Sequence, residues 1–207
     1  MTPAHQLTLN LSGRLVSLEK PLVMGIVNVT PDSFFAGSRI DGAKALRARL
    51  DTLVREGAAL ADLGAYSSRS GAEEVSPEEE RRRLRPALQI LRDEYPDLPV
   101  SVDTFRSDVA RMAVEEYGAS MINDISGGGL DPAMYRTMAE LQVPYILMHM
   151  KGDPQTMQQQ ASYSDVTLEV IDYFAQRVGQ LLELGVHDII LDPGFGFSKT
   201  TTQNYEL

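Results

Sequence analysis

Residues 99–150, PVSVDTFRSDVARMAVEEYGASMINDISGGGLDPAMYRTMAELQVPYILMHM, carry the pattern from which the fold is read. Pro99–Asp103, Ser120–Ile125 and Pro144–Met150 are short, strongly apolar runs, the kind of strand that a parallel sheet buries on both faces. Between them, Ser107–Tyr117 reads as a helix followed by Gly118, and Asp131–Leu141 as a helix opened by Asp-Pro. Strand, helix, strand, helix, strand within about fifty residues implies successive βα units.

The same alternation runs outward in both directions. Upstream, LVMGIVNV from Leu22 is a strand ending at Thr30-Pro31-Asp32. Asp41–Glu56 places Ala43, Leu46, Leu50, Leu53 and Val54 on one helical face, with Asp41 as the expected N-cap and Gly57 as the stop. Leu60–Gly64 is a strand. Ser76–Asp93 is a helix whose Ser76-Pro77-Glu78-Glu79 supplies a cap, a first-turn proline and acids that suit the helix dipole. Downstream, Ser164–Leu184 is a helix stopped by Gly185, Asp188–Asp192 is a strand, and a further helix starts near Thr201. Ahead of everything, Thr8–Val16 alternates around Ser12-Gly13-Arg14 as a small hairpin.

Six βα units with short connections leave two architectures, an open doubly wound sheet or a TIM (β/α)8 barrel. Asn28, Arg69, Asp103, Asn123, His149 and Asp192 lie at or just past different strand ends. A barrel builds its site in that way, one group per strand at the C-terminal face, whereas an open sheet relies on one switch point and a Gly-rich first turn. No G-x-G-x-x-G follows the first strand. The expected fold is therefore α/β, a single TIM-barrel domain over 1–207, covering roughly the first six βα units after the hairpin. A barrel of eight units normally takes about 250 residues.

Composition narrows function by exclusion. The 207 residues are 43% apolar and 23% charged, with 19 basic against 29 acidic side chains and a net charge of −10. So acidic a chain is a poor partner for nucleic acid or an anionic membrane, both of which need a positive field. Cysteine is absent, which removes disulfides, thiolate metal sites and cysteine nucleophiles. No apolar run approaches the roughly 18 residues of a transmembrane helix, and no signal peptide is recognisable; the expected compartment is the cytoplasm.

Several stretches carry chemistry. Asn28, before Val29-Thr30-Pro31-Asp32-Ser33-Phe34, offers one neutral oxygen suited to Mg²⁺, or simply precedes a Thr-Pro-Asp turn. The small residues around Tyr66-Ser67-Ser68-Arg69 admit a ligand, and Arg69 is a fork for phosphate or carboxylate; otherwise it pairs with Glu73 or Glu74. Asp103 and Asn123-Asp124 can hydrogen-bond a heterocycle with an amidine-like edge. Capping is the other reading, Asp103 ahead of Ser107 and Asp124 over Gly127–Gly129, but the apolar runs that precede them favour ligand contact. His149 has no partner at metal-ligand spacing and reads as a hydrogen-bonded structural histidine, while Met148 or Met150 lines an apolar slot or joins the core. GFGFSKT at 194–200 lacks the glycine before lysine that a P-loop needs, which leaves Phe197 as an apolar wall beside a flat ligand.

Six blocks in register, MGIVNVTPDSF, DLGAYSSRSGAEEVSPEEE, SVDTF, INDISGG, LMHMKGDP and ILDPGFGFSKT, resemble the dihydropteroate synthases, the pterin enzymes of folate biosynthesis. The resemblance runs from about Leu22 to Leu207. It implies a transferase that joins a (7,8-dihydropterin-6-yl)methyl diphosphate to 4-aminobenzoate with loss of diphosphate, and that is a sulfonamide target. By that resemblance Asn28 ligands Mg²⁺; Asp103, Asn123 and Asp192 bind the pterin; Ser68 and Arg69 lie near diphosphate and aminobenzoate; and Phe197 flanks the aminobenzoate. Met148 joins the substrate-binding set. No residue is expected to act as general acid or base. Ala65, Ser70 and Phe35-Ala36 depart from the usual pattern, in the first two loops.

The family continues with a seventh strand bearing Gly-x-Ser-Arg-Lys and an eighth near Arg-x-His, so the 207 residues are expected to belong to a longer chain. Small-molecule substrates, no nucleic acid, no membrane and a homodimer of the full-length protein complete the expectation. A methyltetrahydrofolate-type methyltransferase and a non-catalytic pterin-binding remnant are the alternatives.

Overall fold

A computed structural model describes residues 7–29, 39–66 and 75–207. The chain opens with an antiparallel hairpin, β1 (Thr8–Leu11) and β2 (Arg14–Ser17), in which Leu11 pairs with Arg14. Ser12 and Gly13 both take positive φ, 52° and 83°, the two-residue turn whose twist matches the flanking strands. Six βα units follow: β3 (Met24–Asn28), α1 (Arg39–Arg55), β4 (Leu60–Gly64), α2 (Pro77–Glu94), β5 (Val100–Asp103), α3 (Ser107–Tyr117), β6 (Met121–Asp124), α4 (Met134–Leu141), β7 (Tyr145–Met148), α5 (Val166–Glu183), β8 (Ile189–Asp192) and α6 (Thr201–Glu206).

Among the described residues the large sheet is wholly parallel, and its strands stand in chain order from β3 to β8 without a reversal. A doubly wound sheet reverses its order to make a ligand crevice; a sequential order is that of a barrel wall. Side-chain alternation separates its two faces. Val27, Val29, Ala61, Leu63, Val100, Val102, Ile122, Tyr145 and Leu147 point outward, into one core with Leu46, Leu50, Leu84, Leu88 and Leu91 of the helices. Each fully buried leucine there contributes about 1.5–3 kcal/mol.

The inner face is filled at one end by the hairpin. Leu9 and Leu11 pack on Leu60, Met121 and Ile146, and Ser12 Oγ donates to Ser120 Oγ at 2.8 Å. The hairpin thus plugs the end at which the strands begin and leaves the opposite end for chemistry. Leu11→Ala is expected to lower stability by about 2–3 kcal/mol, read as a lower urea midpoint at an unchanged slope.

Local signals explain most element boundaries. Ser76 caps α2, its Oγ accepting from Glu79 N at 3.2 Å; Gly118 ends α3 in the left-handed region; Thr200 and Gln203 form a capping box on α6. Two expectations need correction. The first helix begins at Arg39, so Asp41 lies inside it and does not cap it. Asp131 does not open a helix directly either: α4 starts at Met134. Asp131 Oδ1 accepts from Ala133 N at 2.9 Å, while Oδ2 accepts from Ser107 N at 2.7 Å and so serves the start of α3 across a loop.

Candidate active site

Register brings the predicted residues together. Asn28 pairs with Gly64, Gly64 with Asp103, and Asp103 with Asn123, so one inward row crosses four strand ends. The row then descends: Asn123 is opposite Ile146, and Ile146 opposite Ile190. This is the stagger that a barrel wall requires, and it puts Met148 and Asp192, themselves a register pair, one pleat further along β7 and β8.

Gly64 is the floor of this row. A Cβ there would stand 3.2 Å from Asp103 Oδ2 and 3.3 Å from Asn28 Oδ1, so the missing side chain is what lets the two polar groups converge. Beneath them, Asp62 of β4 is buried, and its Oδ2 accepts from Asn123 Nδ2 at 3.1 Å. That bond uses the amide donor of Asn123 and leaves its Oδ1 as an acceptor. Asn123 Oδ1 and Asp62 Oδ1 are both buried without a hydrogen-bond partner. Asp103 also has none among the described residues, and Asp131 rather than Asp103 serves the start of α3. Asp192 Oδ1 accepts from Gly194 N at 2.8 Å, which orients its carboxylate.

The site is therefore a cup in which acceptors outnumber donors, with the buried Ser101 hydroxyl, opposite Asp62 in the register, set beside the Asp62 carboxylate. Burial, then the charges of Asp62, Glu80 and Asp124, hold the Asp103 carboxyl well above the usual range. Burial also raises Asp62. A ligand presenting several N–H groups would supply what these oxygens lack.

Asp124, next to Asn123, faces the other way and has a structural task. Its Oδ1 accepts from Ser126 N and Ser126 Oγ, each at 2.7 Å, and its Oδ2 from Gly128 N at 2.8 Å and Tyr145 OH at 2.6 Å. It folds the SGG turn and is not part of the cup.

An apolar wall stands beside the acceptors. Ile125, Met148, Met150 and Met157 form a buried cluster with Phe105 and Phe197 packed against it, partly exposed. Met148 is a core member of this wall, and Phe197 stands at its rim. His149 is structural, as expected: Lys199 Nζ lies 2.9 Å from its Nδ1 and the Tyr173 ring 4.7 Å from its own. Burial and the Lys199 charge push its pKa down to about 4.

Ser68 and Arg69 lie outside the described residues, as do Thr30–Phe34, Phe35-Ala36 and Ser70. The described residues on either side of 67–74 are tied together. Arg106 forms a buried ion pair with Glu80, donates to Val75 O at 2.5 Å, and lies over the rings of Phe105 and Tyr66. Among the described residues no three His, Asp or Glu side chains gather as a metal site. Asn28 is exposed at the end of β3, and its side-chain oxygen is a neutral donor of the kind a hard cation accepts.

Sequence reasoning overlooked three contributors. Asp62 was signalled by a lone charge in an apolar strand, at the same inward parity as Gly64. Lys199 is 3% exposed and wholly engaged, whereas the GFSKT letters suggest a failed P-loop and an apolar wall at Phe197 but no role for the lysine. The Arg106–Glu80 pair had no local signal, because its partners are 26 residues apart.

The family model described as pterin binding enzyme matches residues 24–207. The chain belongs to the pterin-binding enzyme family. It is 44% identical over 191 residues to a dihydropteroate synthase of Synechocystis sp., an alignment covering 91% of this chain and 65% of that protein. A structure of Xanthomonas albilineans dihydropteroate synthase with 4-aminobenzoic acid superposes with a TM-score of 0.86 at 40% identity, covering 98% of this chain and 71% of that one. The same enzyme in complex with 7,8-dihydropteroate gives a TM-score of 0.81 at 39% identity, with 97% and 71% covered. The chain thus spans about two thirds of the length of these pterin-binding relatives. Their likeness extends over the whole wall that holds the acceptor cup.

Proposed function

We propose that this chain provides the pterin half of a dihydropteroate synthase site, which condenses (7,8-dihydropterin-6-yl)methyl diphosphate with 4-aminobenzoate to give 7,8-dihydropteroate and diphosphate. The observation that carries the reading is the acceptor cup of Asp62, Asp103 and Asn123, with two buried oxygens lacking partners. The 2-amino and ring N–H groups of a pterin form a flat donor edge of matching chemistry. Asp103 takes two of these donors, Asn123 Oδ1 a third, and the open Asp192 oxygen a fourth. Asp62 holds Asn123 in the orientation that presents Oδ1. The apolar wall of Met148 and Phe197 lies where an aryl ring would stack.

In the reaction the bond between the exocyclic methylene carbon and the diphosphate oxygen breaks, and the arylamine nitrogen bonds to that carbon. The nitrogen then sheds a proton to water, so no side chain need be a base. Positioning is the main contribution of this chain: the cup fixes the pterin plane and the wall sets the angle of the amine. Asn28 is the candidate Mg²⁺ ligand, and such an ion would neutralise charge on the departing diphosphate. Ser68 and Arg69 are the candidates for binding the anionic groups. Sulfonamides are expected to compete with 4-aminobenzoate here.

Diphosphate release, measured with either substrate omitted and with Mg²⁺ removed by chelation, tests this directly. Release is expected only when both substrates and the ion are present. Pterin binding without release from the full-length protein would replace the enzyme reading by that of a pterin-binding module.

A further inference from the structure

We propose that Lys199 is a positioning residue for the pterin wall: its ammonium ties the loop after β8 to the end of β7 and so sets the Asp192 carboxylate and the Phe197 ring. What the wall binds is taken from the functional reading above; how the wall is held rests on geometry alone.

Lys199 Nζ has three donors and meets three near acceptors: His149 Nδ1 at 2.9 Å, Gly194 O at 3.1 Å and Phe197 O at 3.1 Å. His149 belongs to the end of β7, and the two carbonyls belong to the β8 loop. No carboxylate among the described residues forms an ion pair with Lys199, so this burial does not serve a salt bridge. Nor does it serve α6. A cation just ahead of a helix opposes the dipole, and Thr200 with Gln203 already caps that end.

Gly194, through the two peptide groups that meet at its Cα, is the shared node. Its N–H donates to Asp192 Oδ1 at 2.8 Å, and its carbonyl is held by Lys199. The same carbonyl accepts from Phe197 N at 3.0 Å, closing the turn that carries the ring. Gly194 has φ +68°, and a Cβ there would stand 2.3 Å from His149 O, so the loop lies directly on the end of β7. A shift of Gly194 therefore moves both Asp192 and Phe197. Separate struts keep the rest of the loop in place: Lys151 N donates to Ser198 Oγ at 2.9 Å, and Tyr163 OH to Ser198 O at 2.9 Å. Loss of the ammonium would thus displace the node without releasing the whole segment.

The test is Lys199→Met, which keeps the stem and removes the donors. Two readouts are taken on the full chain: hydrogen exchange at the Gly194 and Phe197 amides, and calorimetric binding of unsubstituted pterin. Both amides are expected to exchange about tenfold faster and pterin to bind about tenfold more weakly, the scale of losing one hydrogen bond. A folded variant with unchanged exchange overturns the proposal, as does faster exchange with unchanged pterin affinity. If the variant does not fold, His149→Leu, which removes the ring acceptor at the end of β7 and leaves only the longer contact to the His149 carbonyl, decides by the same two readouts. Wild-type protein that binds no pterin would sink the functional reading instead, and exchange alone would then uphold or overturn the brace.

Discussion

Asp103→Asn is expected to stabilise the ligand-free protein and to abolish pterin binding. The ligand-free carboxylate sits among acceptors, close to Asp62, with its pKa well above the usual value chiefly because it is buried. A raised carboxyl pKa means that the folded state holds its proton longer than the unfolded state. Its favourable contribution is present in acid and is lost as pH climbs through the folded pKa. Above the unfolded carboxyl pKa the wild type thus bears the cost of either an unsatisfied charge or a proton taken up on folding, which the amide avoids. The gain is about 1–3 kcal/mol, or roughly 2–4 °C in Tm for each kcal/mol in a chain of this size. Thermal melts across pH 4 to 8 check it, because the difference between wild type and variant should shrink on acidification. Binding moves the other way. Two N–H bonds to a charged acceptor at about 1.5–3 kcal/mol each amount to roughly 10²–10⁴ in affinity, and the new amide N–H₂ would face donors. A variant that binds pterin as tightly as wild type would remove Asp103 from the site. The opposition of stability and binding is what a preorganised functional group produces.

Asp124→Ala, one strand over, should do the reverse to stability. Asp124 is fully buried, whereas Asp103 is partly exposed, and Asp124 accepts four hydrogen bonds, from Ser126 N, Ser126 Oγ, Gly128 N and Tyr145 OH. Truncation strands several buried donors at about 1–3 kcal/mol each, and local rearrangement recovers part of that, for a net loss of about 3–5 kcal/mol. The Gly127 turn also packs on the Tyr173 hydroxyl and Met148 O, so the lesion reaches the apolar wall. Urea denaturation reads the loss. A change below about 1 kcal/mol would mean that the turn holds without its carboxylate.

These two aspartates show where a linear reading stops. In sequence both end an apolar strand, and nothing local separates a ligand contact at one from a cap at the other. Parity separates them: Asp103 shares the inward row with Gly64 and Asn123, whereas Asp124 is one residue further on and faces Tyr145. The deciding fact for Asp103 lay elsewhere, since Asp131 had already taken the amide of Ser107. No local pattern announces a cap supplied from 24 residues away.

Sequence by itself determined the six βα units, the hairpin, the Ser76 cap and the family, because those depend on periodicity, on end chemistry and on motifs in register. It also placed Asn28, Asp103, Asn123 and Asp192 at strand ends, since inward polar groups stand out against apolar runs. Only the tertiary structure decided which of these share one cup. Strand stagger sets Met148 and Asp192 a pleat beyond the row of Asn28, Asp103 and Asn123. It alone drew in Asp62, Lys199 and the Arg106–Glu80 pair as supports. Hydrogen bonding and desolvation act between atoms near in space, and the residues that complete this site are distant along the chain.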